Sequence, residues 1–160
     1  MFTPYSKNHK LLKSQKSKES MKEEVFMREA IADALKNKHH FGAVVVKNGK
    51  IIAKAGKRPL GDPRYHAETQ AIIKATKKLK TKHLKNCVLY STCEPCPMCF
   101  YMAWITHIPK IVYGATLQDS IKFGFEEIDL GINELNKKGG NKTKLVKGFL
   151  RKECLELFKK

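Results

Sequence analysis

Two short stretches of this chain hold side chains able to do metal and proton chemistry together: His66-Ala67-Glu68 and Cys93-Glu94-Pro95-Cys96-Pro97-Met98-Cys99. Cys96 and Cys99 are three apart, so on the first turn of a helix their sulfurs lie on one face. A helix N-terminus and a nearby cation favour thiolate over thiol. Two thiolates suit zinc, at Zn–S distances of about 2.3 Å. Alone, such a pair is a moderate signal, and His66, at the head of another helix after the Asp62-Pro63 turn, sharpens it. One imidazole and two thiolates are three protein ligands, the number found at a catalytic zinc whose fourth position is left to water; a structural site is more often closed by a fourth Cys or His. Glu68 lies too near His66 along a helix to share its face. It reads as general base, then acid, in zinc-assisted hydrolysis.

These residues need a scaffold, and the hydrophobic pattern supplies one. Met27, Ala30, Ile31, Ala34 and Leu35 recur at helical spacing and predict a helix over about 21–37. Phe41–Val46, the Asn48-Gly49 turn and Ile51–Ala53 read as a β-hairpin. A Gly/Pro-containing loop leads to a helix from about His66 to Leu79. Cys87–Tyr90 is a short buried strand, Pro95 opens a helix through about Ile105, and Ile111–Tyr113 is a further strand. The segment after Asp119 has no clear period. A strand near 144–146 and a helix over 149–158 close the chain. The alternation predicts a layered α/β domain, its sheet covered by helices.

The chain has 160 residues, enough for one compact domain. No apolar run approaches the roughly 18–20 residues of a membrane-spanning helix, so no membrane partner is expected. Residues 1–20 lack an apolar period and read as a basic, flexible arm, leaving 21–160 as the domain. Lys+Arg is 32 against 15 acids, a net charge of +17, but only Arg28, Arg58, Arg64 and Arg151 are arginines. Specific readers of nucleic acid favour the bidentate fork of Arg, so the lysine excess reads first as solvated surface. Lys74–Lys85 holds six lysines and no acid, and reads as a solvated helix face before a phosphate track. Five cysteines, three of them within seven residues, argue against a disulfide framework and for a reducing, cytoplasmic setting. Cys87, Cys93 and Cys154 read as packing, and His9, His39, His40, His83 and His107 as surface or packing histidines.

The pairing of His66-Ala67-Glu68 with Pro95-Cys96-Pro97-Met98-Cys99 resembles the zinc-dependent cytidine-deaminase-like superfamily, whose signature is H-x-E…P-C-x-x-C. The likeness runs over roughly 21–158 and includes the Asn48-Gly49 hairpin and Ile111–Ala115. It implies a three-layer α/β/α sandwich around a five-stranded mixed sheet, one zinc per subunit held by His66, Cys96 and Cys99, and a homodimer. It also implies a reaction: water replaces an exocyclic amine on a heterocycle, ammonia leaves, and Glu68 moves the protons. A nucleic-acid module using zinc only structurally would leave Glu68 without a task.

Two branches of the superfamily are similar. Gly124-Phe125-Glu126-Glu127 resembles a segment of the guanine deaminases whose second acid shuttles protons, which points to Glu127 as a second catalytic acid. The tRNA wobble-adenosine deaminases are the alternative, favoured by net charge, the Gly56-Lys57-Arg58-Pro59 loop and the last helix. Both branches carry an Asn near the position of Lys57; Lys only donates where Asn also accepts, so base recognition differs here. Phe41, Lys57, Ala67 and Phe125 are the candidate substrate-binding residues. A small nucleobase or nucleoside is the expected substrate, with tRNA second.

Overall fold

The structure is a computed structural model that describes residues 4–55 and 61–159, with side chains from Ser20 onward. Helix α1 spans Pro4–Lys36, strand β1 Ala43–Lys47, β2 Lys50–Lys54, α2 Ala67–Leu79, β3 Cys87–Cys93 and α3 Pro97–Ile105. Strand β4 spans Lys110–Ala115, α4 Leu117–Lys122, α5 Ile132–Lys138, β5 Lys144–Val146 and α6 Arg151–Glu156, with a 3-10 turn over Leu157–Lys159. The sheet order is β2-β1-β3-β4-β5. β1 pairs antiparallel with β2 and β3, while β4 runs parallel to both β3 and β5. The five-stranded mixed sheet is as expected.

Alternation along the strands divides the core. Ala43, Val45, Leu89, Ile111 and Tyr113 face α2, α3 and α5, meeting Ala71, Ile72, Ala75, Phe100, Ala103 and Ile132. Val44, Val46, Tyr90 and Val112 face the other way, against Met27, Ala30 and Ala34 of α1 and the C-terminal Cys154, Leu157 and Phe158. The second layer approaches so closely that side chains are excluded at two points. A Cβ on Gly42 would sit 2.0 Å from the Ala30 carbonyl oxygen, and one on Gly114 would sit 2.2 Å from Cys154 Sγ. In the hairpin turn, Asn48 and Gly49 both take positive φ, at 50° and 70°, as a two-residue type I′ turn demands.

Five helices differ from the sequence reading. α1 begins at Pro4, not near Met21: no Gly or Pro interrupts the chain from Tyr5 to Lys36, so nothing stops the helix in the segment read as an arm. α3 begins at Pro97, not Pro95, with Cys96 at the N-cap. α6 begins at Arg151 because Leu150 takes a left-handed conformation, φ 50°. The unassigned stretch after Asp119 holds parts of two short helices, α4 and α5. Among the described residues, no helix is long and apolar enough to cross a membrane.

α4 carries its own start signal, a capping box in which the Thr116 hydroxyl accepts from the Asp119 amide and Asp119 accepts from the Thr116 amide. Arg151 ties α6 to the same carboxylate, its Nε donating to Asp119 Oδ2 at 2.9 Å. That guanidinium holds the Asp119 carboxyl down to about 2, against an ordinary 3.8. A lowered folded pKa contributes stability above the unfolded value and loses it as pH falls to about 2. The shift corresponds to roughly 2 kcal/mol, cut to about 1 kcal/mol because Arg151 is half exposed. Asp119→Asn is therefore expected to lower the urea midpoint at pH 7, with the gap to wild type closing between pH 4 and pH 2. An unchanged gap at pH 2 contradicts the linkage.

Candidate active site

Two helix N-termini converge on one point. His66 caps α2 and Cys96 caps α3, both with extended backbone (φ −69°, ψ 157°; φ −64°, ψ 168°), and Cys99 lies in the first turn of α3. Their contact follows from the packing of α2 and α3 side by side on the Val45–Leu89–Ile111 face. The Cys96 Sγ is 3.5 Å from His66 Nδ1 and 3.5 Å from Cys99 Sγ. Tetrahedral zinc, with Zn–S about 2.3 Å and Zn–N about 2.0–2.1 Å, sets sulfur–sulfur near ~3.8 Å and sulfur–nitrogen near ~3.6 Å. The spacing and the soft donor set therefore fit zinc. Among the described residues, these three are the only group of three or more His, Cys, Asp or Glu placed to hold a metal.

The thiols are already differentiated. The sulfur contact of Cys96 with Cys99, and then its contact with His66, lower Cys96 to about 4. Cys99 is pushed up by its contact with Cys96, by burial and by the Glu68 charge. Glu68 is buried, its Oε1 accepting from Ser91 Oγ at 3.0 Å and its Oε2 from Cys99 Sγ at 3.5 Å. Burial raises its pKa, the direction a carboxylate needs to trade protons near neutral pH.

The cluster opens into a cavity of about 180 Å³ lined by Phe41, His66, Glu68, Cys93, Glu94, Cys96, Phe125, Glu126 and Glu127. That is below the about 300–1,000 Å³ of pockets for drug-sized ligands and suits a small ring. Phe41 and Phe125 meet edge to face at 4.9 Å, and Phe158 backs both, at 5.5 Å and 5.0 Å. Glu127 accepts from Ser120 Oγ at 3.1 Å, and burial raises its pKa.

The structure thus brings His66, Glu68, Cys96, Cys99, Glu127, Phe41 and Phe125 together. Ala67 packs into the core beneath the site and is not among the cavity's lining residues. Lys57 lies outside the described residues. Three cavity or supporting residues went unassigned from sequence: Glu126, Ser91 and Glu94. Glu94 is the most consequential, because one carboxylate accepts from the first amides of two helices, Leu117 of α4 at 3.1 Å and Ile132 of α5 at 3.0 Å. Only its place beside Cys96 hinted at a role. Cys93, read as packing, is buried as expected and also borders the cavity; burial, then the surrounding carboxylates, push its thiol far up.

Comparison with known proteins agrees with this geometry. The cytidine and deoxycytidylate deaminase zinc-binding region matches residues 20–115. Guanine deaminase of Bacillus subtilis (strain 168) is 37% identical over 114 residues, covering 67% of this chain and 73% of that protein. The tRNA-specific adenosine deaminase of Aquifex aeolicus (strain VF5) is 41% identical over 101 residues, covering 59% and 67%. The solved guanine deaminase from Nitrosomonas europaea superposes with a TM-score of 0.77 at 25% identity, covering 85% of this chain and 82% of that one. The matched region takes in His66, Glu68, Cys96 and Cys99, the residues that the fold gathers, and the chain belongs to the cytidine and deoxycytidylate deaminase family of zinc-dependent hydrolytic deaminases.

Proposed function

We propose that this deaminase acts on a small amino-substituted heterocycle, most like guanine, with His66, Cys96 and Cys99 holding zinc. Zinc, when bound, supplies the Lewis acidity that makes water a competent nucleophile at neutral pH. Glu68 takes a proton from the attacking water and delivers it to the ring nitrogen. It then passes the second proton to the departing amine, so that amine and water become carbonyl and ammonia. Glu127, across the cavity, is the second proton carrier. Phe41 and Phe125 flank the ring plane, and Lys57 supplies donors from the loop before α2.

One observation carries the small-base reading: three carboxylates, Glu94, Glu126 and Glu127, stand in the described cavity wall. Carboxylates lining the cavity repel a phosphate chain and tolerate a neutral base. The second reading, a tRNA wobble-adenosine deaminase, is supported by the 41% identity to the Aquifex aeolicus enzyme and by the net charge. Ammonia release measured with guanine, guanosine, adenine, cytosine and an anticodon stem-loop bearing adenosine separates them. Guanine is expected to turn over at least about 100-fold faster than adenine or cytosine, since a site built to bond one polar edge rejects bases lacking it. Turnover of the stem-loop alone would overturn the assignment.

The same reading includes a homodimer in the cytoplasm. Met98, Tyr101 and Ile105 leave an exposed apolar stripe along α3, and the five cysteines are free thiols.

A further inference from the structure

The lysine-rich stretch 74–85 has no part in the pocket. α2 carries the chain away from His66, and its 13 residues span about 20 Å. Lys80, Lys82 and Lys85 therefore sit at the far end of the sheet. That end gathers more cations. Register places Lys47 beside Lys50 and beside Cys87 at the start of β3, and Lys110 beside both Val88 and Lys144. Neighbouring strands lie about 4.8 Å apart, so these lysines form a row along the sheet end. Their side chains divide between its faces, Lys47 with Cys87 on the α2/α3 side and Lys110 with Val88 on the α1 side. At the same end a cleft of about 380 Å³ is lined by Lys85, Trp104, Ile105, His107 and Lys142 among others. The Lys142 ammonium lies 5.3 Å from the Trp104 ring centre, and the His83 and His107 rings are 4.6 Å apart.

Two ordinary explanations fall short. Three helix C-termini, of α2, α3 and α5, point to this end, and each attracts cations with about −0.5 charge. Together that is about −1.5, against exposed ammonium groups on Lys50, Lys80, Lys82, Lys85, Lys142 and Lys144. Among the described residues, none of these six lysines forms an ion pair. The sequence has no acid over 34–61, 69–93, 95–118 or 135–152. Glu23 reaches the row from α1, where it pairs with Lys110 and accepts from the Tyr90 hydroxyl. His83 senses the surplus: partial desolvation and the charges of His107, Lys82 and Lys85 hold it below its ordinary value.

We propose that this pole, at the opposite end of the sheet from the pocket, is a docking surface for the phosphate backbone of a nucleic acid, separate from the catalytic cavity. Lysines read charge and not base identity, so the surface is sequence-tolerant. An anionic membrane fits it less well, since an interfacial binder buries an apolar face. Here the exposed apolar residues on α3, Tyr101 and Ile105, are few beside the lysines, and Trp104 is stacked on Tyr101 with Lys142 over its ring.

The test is fluorescence anisotropy on the full chain with a labelled single-stranded RNA 20-mer and a labelled 20-base-pair DNA duplex, from 50 to 300 mM salt. The variant Lys82→Glu/Lys85→Glu/Lys142→Glu is expected to lose at least tenfold in affinity at 50 mM for whichever strand form the wild type prefers. Its log–log salt slope should be shallower by about 2. Ammonia release from the preferred small substrate should stay within twofold, which also reports that the variant folds. The milder Lys82→Gln/Lys85→Gln/Lys142→Gln set is expected to lose an intermediate amount and stands in if charge reversal impairs folding. A matched set in the amino-terminal segment, Lys10→Glu/Lys13→Glu/Lys16→Glu, should lose less than threefold. The proposal is overturned if wild type binds neither strand form, if it binds phosphatidylserine vesicles in their place, or if the amino-terminal set loses as much as the pole set.

Discussion

Glu68→Gln protein is expected to purify with one zinc per chain and to turn over at least about 1,000-fold more slowly than wild type. General acid–base groups contribute about 10²–10⁴-fold, and Glu68 is assigned proton movements on both sides of the reaction, which places it in the upper part of that range. Gln keeps the shape and can still accept from Ser91 Oγ, now 3.0 Å away, so packing changes little. What it removes is a carboxylate able to accept and return a proton. Zinc content by elemental analysis and steady-state ammonia release together read the result. Loss of zinc would make Glu68 a ligand; turnover within tenfold of wild type would place the base elsewhere, with Glu127 next in line.

Cys96→Ala is expected to be the most damaging single change to the metal site. It deletes the sulfur that lies 3.5 Å from both His66 Nδ1 and Cys99 Sγ, leaving two donors. Changes to residues that merely support a ligand cost about 10–100-fold in metal affinity, so loss of a ligand should exceed 100-fold. Purified Cys96→Ala should hold less than a tenth of a zinc per chain and show no measurable turnover. Cys87→Ala, buried at the start of β3 in the core, should keep full zinc and pay only a core-cavity cost of about 1–3 kcal/mol. Equal zinc in the two variants would refute the ligand set.

The chemistry was more legible in the sequence than its support. His66, Glu68, Cys96 and Cys99 are short-range motifs whose spacing already encodes helix-start geometry. The structure needed only to bring two such starts together. The hairpin was equally plain, because Asn48 and Gly49 tolerate the positive φ that its turn requires. Glu94 was opaque for a physical reason: its partners, Leu117 and Ile132, are 23 and 38 residues away. No local pattern announces a carboxylate that caps two distant helices. α4 and α5 span only six and seven residues, too short to show a period, although Thr116 and Asp119 offered a start signal. Pro95 and Pro97 both suit a first turn, and only the extended backbone of Cys96 between them decides which one opens α3.

The double grip of Glu94 ties chemistry to architecture. This residue is two positions from Cys96, yet it anchors both ends of the span from Leu117 to Ile132 on which Phe125, Glu126 and Glu127 ride. The cavity's far wall therefore hangs like a hammock, slung from a single post driven in next to the metal-gripping turn. Any strain at that turn tugs the cloth, so a protein stripped of its ion would be expected to loosen its hold on the incoming ring as well as its power to transform it.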